Sequence, residues 1–216
     1  VSTRANPAHP DDYIERQERQ RSGEAYEQEI EGEFVAFEGL VYKWFDRENR
    51  VGTDALPETW DRTIYGVDWG GSAPTAIVAL RQSGDDWYVV DEFYERRVVN
   101  DTIASELERM ESRYGRGPVY CDSAEPRAIE ALSREGFDAR ESEKAVETGI
   151  RYVDSLRDRL YVVEDCQHVI DEFNTYRYKD GSDDVLKEHD HALDALRYAL
   201  FTDDTGVDAG GVVIDW

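Results

Sequence analysis

Residues 63–80 read Thr63-Ile64-Tyr65-Gly66-Val67-Asp68-Trp69-Gly70-Gly71-Ser72-Ala73-Pro74-Thr75-Ala76-Ile77-Val78-Ala79-Leu80. Two short apolar runs flank a Gly/Ser/Pro turn, which is the pattern of a β-hairpin. One carboxylate, Asp68, closes the first run. A lone acid in an apolar strand is costly to bury, so it calls for a compensating metal ion or basic group. The plainer alternative is a turn aspartate bonded to its own neighbours.

Downstream of the hairpin, 82–86 reads as a turn and 87–94 as a third strand. Ile103, Leu107, Met110 and Tyr114 recur at helical spacing, with Asn100 or Asp101 as the cap. Residues 118–122 form a short buried strand that ends in a second carboxylate, Asp122. Ser123 can cap the following helix, with Pro126 in its first turn and Gly136 at its end. A strand over 137–140, a helix over 143–159, a strand over 160–163 and a helix over 167–176 follow. A turn at Lys179-Asp180-Gly181-Ser182 tips a hairpin over 176–187, and the last helix spans 191–201. A three-strand meander followed by alternating helices and strands predicts an α/β fold. Its mixed sheet has three antiparallel strands, then parallel ones, with helices on both faces.

The compact domain is expected over 60–202. Before it, 11–30 is helix-compatible but poor in apolar residues, 33–46 is aromatic and strand-like, and 47–61 is a polar connector. After it, 203–216 reads as a loose acidic tail. The 216 residues carry 49 acids against 25 bases, a net charge of −24. Lysine is confined to Lys43, Lys144, Lys179 and Lys187; every other base is arginine. Such a surface fits a high-salt cell, where a Debye length of about 3 Å at molar salt screens self-repulsion. The 40% apolar and 12% aromatic content argues against disorder. Any contact with nucleic acid must then come from local arginines and metal ions rather than a broad basic face. Two cysteines and no visible secretory signal point to a reducing interior, and no apolar run is long enough to cross a bilayer.

Asp68 and Asp122 end strands that would lie side by side, so both carboxylates emerge at one sheet edge. The final helix adds Asp190, His191 and Asp194, with Leu193, Leu196 and Leu200 as its packing face. His191 and Asp194 are three apart and neighbours on the helix. Three converging acids cannot all ionise cheaply, and divalent cations with hard oxygen ligands resolve the conflict. Two Mg²⁺ or Mn²⁺ ions about 3.5–4 Å apart are a template for phosphodiester hydrolysis. Asp68 would bridge them, Asp122 and Asp194 would each bind one, and His191 would orient Asp194 or touch the phosphate. Against this, Asp122-Ser123 can simply cap a helix, and His191 can be an exposed first-turn residue. Asp190 is the better N-cap of the last helix, which leaves Asp194 without a capping role and favours its functional reading. Cys121 should face away from Asp122 and pack in the core.

Three segments carry a family resemblance: Tyr65-Gly66-Val67-Asp68-Trp69-Gly70, Val119-Tyr120-Cys121-Asp122-Ser123 and Asp190-His191-Ala192-Leu193-Asp194-Ala195-Leu196-Arg197-Tyr198. Together they resemble the C-terminal nuclease domain of the terminase large subunit of tailed bacterial and archaeal viruses, which has a ribonuclease H-like fold. The likeness covers about 60–202. Lys144 with Gly149-Ile150 resembles the family's Lys-then-Gly-Ile helix, so Lys144 would point toward the site or the DNA; otherwise it is a solvated helix residue. Residues 29–45 resemble the linker after the motor's ATPase domain. No Gly-x-x-x-x-Gly-Lys-Ser/Thr loop occurs, so 1–59 would be the tail and linker of an ATPase half not contained here.

The resemblance implies a metal-dependent endonuclease of little sequence preference that cuts concatemeric viral double-stranded DNA during packaging. Its partners would be the ATPase domain, the portal and the small terminase subunit, in the host cytoplasm and with no membrane. The aromatic-basic alternation of Tyr176, Arg177, Tyr178 and Lys179 would contact DNA, although it also suits an exposed strand face. Three rivals stand beside this reading. The hairpin loosely resembles that of the actin and sugar-kinase group, but the second lobe is missing. A resolvase or transposase of the same fold differs mainly in partners. A non-catalytic DNA-clamping or motor-docking module would have no need of all three acids.

Overall fold

The structure, a computed structural model, describes residues 39–206. The helix expected over 11–30, part of the strand-like 33–46 and most of the tail lie outside the described residues. The strands are β1 (Arg50–Val51), β2 (Arg62–Asp68), β3 (Pro74–Ser83), β4 (Asp86–Arg96), β5 (Pro118–Cys121), β6 (Asp138–Glu141) and β7 (Leu160–Val163). The helices are α1 (Asn100–Tyr114), α2 (Pro126–Arg134), α3 (Val146–Ser155), α4 (Gln167–Thr175) and α5 (His191–Thr205). One seven-stranded sheet runs in the order β1-β7-β4-β3-β2-β5-β6. β2, β3 and β4 are antiparallel, whereas β5, β6, β7 and β1 join in parallel. This is the mixed sheet the hairpin and the alternating pattern predict.

β2 lies at the centre, and every residue after Arg62 is buried. Its two faces meet different layers, as period-2 alternation requires. Tyr65 Oη donates to the Gly115 carbonyl at 2.6 Å, just past the end of α1. Gly66 faces the other way, against the backbone of α5. α5 packs on β2, β3 and β5, and α3 and α4 pack beside it. The buried face of α1, Ile103, Leu107 and Met110, is the one its spacing predicts.

Several local readings change. Residues 41–46 form turns and bends rather than a strand. Tyr42 and Phe45 are buried and meet Phe173 of α4, so aromatic content here serves packing, not strand pairing. The stretch 47–61 is more than a connector. Asn49 Nδ2 donates to the carbonyls of Arg157 and Leu160, and β1 adds a strand beside β7. α1 already includes Asn100, and its N-cap is Val99, with no side-chain cap. Glu125, not Ser123, precedes α2. α3 starts only at Val146, with Ala145 in the N-cap position, and the Glu143 N–H before it donates to Thr202 Oγ1. α5 runs to Thr205, past the expected end at 201, because Tyr120 Oη and Arg62 both hold Asp203 to the body of the domain. The expected hairpin over 176–187 is a narrow one, with a Tyr178–Val185 bridge and the Lys179 N–H donating to the Asp184 carbonyl at 2.8 Å.

Candidate active site

Two strand ends and one helix build the site. β2 and β5 pair in parallel with Val67 opposite Cys121, and the Asp122 N–H continues the ladder to the Val67 carbonyl at 3.0 Å. Asp68 and Asp122 therefore stand at the same end of adjacent strands. Asp68 shares its face with Gly66, which abuts α5. Asp122 shares its face with Tyr120, whose Oη donates to Asp203 Oδ1 of α5 at 2.9 Å. Cys121 points to the opposite face and is fully buried, as expected. The first turn of α5 brings His191 and Asp194 over these two strand ends.

Each of the three acids has a basic partner. His191 Nδ1 lies 2.8 Å from Asp68 Oδ2; an ionised carboxylate only accepts, so Nδ1 is then the donor. Asp68 is therefore not a turn aspartate. Lys144 Nζ is 2.7 Å from Asp122 Oδ1. That same oxygen accepts from the Ala124 N–H at 3.0 Å, so Asp122 closes a turn but does not cap α2. Arg197 Nη2 donates to Asp194 Oδ1 at 2.8 Å, and Lys187 Nζ reaches Asp194 Oδ2 at 3.3 Å. Lys187 also lies 3.5 Å from Asp190 Oδ2, an ion-pair contact rather than a hydrogen bond. Asp190 occupies the N-cap position of α5, but its side chain makes no cap bond.

Burial pushes the Asp68 carboxyl upward; the His191 bond opposes this, while the charges of Asp194 and Asp122 add to it. Mutual repulsion among the three acids is thus felt at Asp68. The bond to Asp68 raises His191 above its ordinary value, and burial only partly offsets the gain. Among the described residues, no three His, Cys, Asp or Glu side chains stand together as a ready-made metal cluster. The donor types nevertheless suit a hard divalent ion: three carboxylates, with an imidazole on the most buried of them.

Other neighbours escape a reading of the sequence. Arg197 lies three residues after Asp194, a spacing that does bring helix neighbours together. Lys187 has no such local signal. Neither has Glu172 of α4, a buried side chain whose Oε2 accepts from the Leu193 N–H at 2.9 Å and whose Oε1 accepts from Tyr94 Oη at 2.9 Å. Glu172, rather than Asp190, satisfies the helix terminus that carries the acids. His191 turns to Asp68 and not to Asp194. Of the four residues read as DNA contacts, Tyr176 is buried against Tyr42, with ring centroids 6.1 Å apart, while Arg177 and Lys179 are exposed and Tyr178 is half-buried. A cleft of about 560 Å³, lined by Val146, Ile150, Tyr178, Val185 and Lys187 among others, opens beside the acids rather than over them.

Known proteins agree with this architecture. The family model described as the terminase RNAseH like domain matches residues 73–202. The terminase large subunit of Escherichia phage T5 is 25% identical over 219 residues, covering 92% of this chain and 50% of its own length. The crystal structure of the large terminase (g2p) nuclease domain from bacteriophage SPP1, with bound Mn, superposes with a TM-score of 0.60. It is 29% identical and covers 72% of this chain and 97% of that domain. The large terminase from a thermophilic bacteriophage shares the fold, with a TM-score of 0.68 at 21% identity, over 77% of this chain and 45% of its own. The chain spans about half the length of the curated relatives it matches. With the family model spanning well over half of the chain, and the sheet order and strand-end acids already in place, the chain belongs to the terminase RNase H-like domain family.

Proposed function

We propose that this chain is a divalent-metal-dependent endonuclease that cuts concatemeric viral double-stranded DNA during genome packaging. The observation that carries the reading is the meeting of Asp68, Asp122 and the Asp194-bearing turn of α5 at one end of the sheet. Asp68, Asp122 and Asp194 would hold two Mg²⁺ or Mn²⁺ ions, a choice supported by their oxygen donors and by the Mn in the SPP1 domain. Bound there, the ions supply charge neutralisation and activation of the attacking water. The chain's own residues do the rest. His191 holds a proton at Nδ1 and orients the Asp68 carboxylate. Lys144 and Lys187 are half exposed, so their ammonium groups can leave Asp122 and Asp194 for the phosphates of an incoming strand. Arg177 and Lys179, with Tyr178 beside them, are the nearby surface groups for the DNA backbone.

The acidic composition supports a high-salt host as the setting, where the enzyme would work in the cytoplasm with an ATPase motor domain, a portal and a small terminase subunit. Among the described residues no helix is long and apolar enough to cross a membrane. One observation favours a second reading, a non-catalytic DNA-docking module: each of the three acids already has a basic partner from the chain itself. Incubating the full chain with supercoiled plasmid and Mn²⁺ or Mg²⁺ at high salt separates the two. Nicking and linearisation that vanish with chelator and in Asp68→Ala support the nuclease. DNA binding without cleavage supports the docking module, and cleavage that survives Asp68→Ala removes the assigned site.

A further inference from the structure

Gly149 sits in the middle of α3, where glycine is a poor helix former. Its neighbour explains it. A Cβ at position 149 would lie 2.8 Å from both Cγ and Cδ of Arg197. The Arg197 stem therefore runs through a notch in α3 that only a missing side chain provides. Its guanidinium is almost fully buried, and Nη2 ends on Asp194 Oδ1 at 2.8 Å. A buried charge of this kind is tolerable only against a fixed counter-charge. The other oxygen of the carboxylate, Oδ2, has a different environment. Its cation is Lys187, whose side chain is 53% exposed. One face of Asp194 is thus held from inside the domain, and the other meets an exposed surface group.

We infer that Gly149 and Arg197 act together as positioning residues: the notch in α3 seats the Arg197 stem, and the seated guanidinium sets the orientation of the Asp194 carboxylate for the divalent ion. The pair lies behind the acid, on elements other than the strands that carry Asp68 and Asp122. The ion itself enters through the proposed function, so the inference rests on that reading for its consequence but not for its geometry.

Two readouts on the full chain test this, one of them free of metal. The ¹³Cγ resonance of Asp194, assigned by its loss in Asp194→Asn and recorded at fixed pH without divalent ions, reports the orientation of the carboxylate. Titration calorimetry with Mn²⁺ alone reports its use. Arg197→Ala and Gly149→Ala should each move the resonance, and Arg197→Ala should weaken Mn²⁺ binding by about 10–100-fold. Arg197→Lys, which keeps stem and charge but not the planar fork, should recover part of the loss. The double variant Gly149→Ala/Arg197→Ala should match Arg197→Ala alone, because the three nearest atoms to the new Cβ all belong to the Arg197 side chain and are then gone. A resonance unmoved in Arg197→Ala overturns the inference, as does a Gly149→Ala effect that persists undiminished in the Arg197→Ala background. Should Arg197→Ala fail to fold, Arg197→Met keeps a stem without charge and carries the same resonance test. A wild-type chain that binds no Mn²⁺ defeats the nuclease reading instead, and the resonance arm still decides the positioning role.

Discussion

The carbonyl oxygen of Ala195 stands 1.9 Å from the point a Cβ on residue 66 would occupy, and the carbonyl carbon stands 2.7 Å away. Gly66 therefore lets the backbone of α5 lie directly on β2. The contact is two residues before Asp68 on one element and one residue after Asp194 on the other. Backbone-to-backbone approach at this point is what brings the acid of the helix down to the acid of the strand. Gly66→Ala forces α5 off the sheet, and overpacking of this kind costs roughly 1–3 kcal/mol or more, because a carbonyl cannot swing aside as a flexible side chain can. We expect a lowered urea midpoint together with loss of plasmid nicking by the fraction that remains folded. Wild-type nicking in a stable Gly66→Ala variant would mean that the helix acid is not needed at this distance.

Asp194 and Asp190 differ in what they hold. Asp194 balances buried Arg197 and also meets Lys187, whereas the Asp190 side chain meets Lys187 at 3.5 Å and, among the described residues, makes no cap bond. Asp194→Asn leaves a buried guanidinium uncompensated, a loss of about 3–5 kcal/mol for a broken buried pair. It should abolish cleavage and lower the melting temperature. Burial already pushes the Asp190 carboxyl upward, so Asp190→Asn should leave stability at neutral pH unchanged or slightly improved and cost far less activity. Thermal melts and nicking rates on both variants check the order; the reverse order would move the site by one helical turn.

His191 is the hydrogen-bond donor that holds the Asp68 carboxyl down against burial. In His191→Ala, burial and the Asp194 and Asp122 charges act on Asp68 unopposed, so it ionises only at higher pH. Cleavage that depends on ionised Asp68 should then fall about 10–100-fold near neutrality, with the acid limb of its pH profile moved upward. A loss equal at every pH would assign His191 to DNA contact instead.

Burial raises Glu172 from an ordinary 4.5 to about 7, against the bonds from Leu193 and Tyr94 that pull it down. The folded state then keeps a proton that the unfolded chain has already released between pH 4.5 and 7. Stability must fall as pH rises through that window and level off above it. Glutamine cannot titrate, and its amide can still accept from Leu193 while its NH₂ donates to Tyr94 Oη. Glu172→Gln should therefore be less sensitive to pH across this range. By pH 8 it should exceed the wild type by on the order of 3 kcal/mol, the linkage free energy of a carboxyl raised from 4.5 to about 7. Urea unfolding of both proteins at pH 5 and pH 8 measures the difference, and parallel pH profiles would refute the assignment.

Much of the fold was legible because its signals are local. The β2–β3 hairpin follows from apolar runs around a Gly/Ser/Pro turn, and α1 from Ile103, Leu107 and Met110 on one stripe. Asp68 and Asp122 announced themselves as acids ending apolar strands. The stretch 41–46 misled because aromatic residues suit strands and helix-packing loops equally well. Tyr176 misled in the same way: its place in a basic-aromatic run says nothing about which side chain turns inward. Asp190 has the right residue type for a cap, yet Glu172, on another helix, takes the amide bond.

The order of strands and helices, and the residue types that end them, were determined by the chain's own periodicities of two and 3.6, which act between neighbours a few residues apart. Which basic group meets which acid was decided only in three dimensions. Lys144 reaches Asp122, Lys187 and Arg197 share Asp194, and His191 takes Asp68 because of the register of β2 on β5 and the depth to which α5 sinks at Gly66 and α3 at Gly149. Those depths are set by the absence of a side chain, and an absent side chain leaves no periodic trace until the element that fills its space is known.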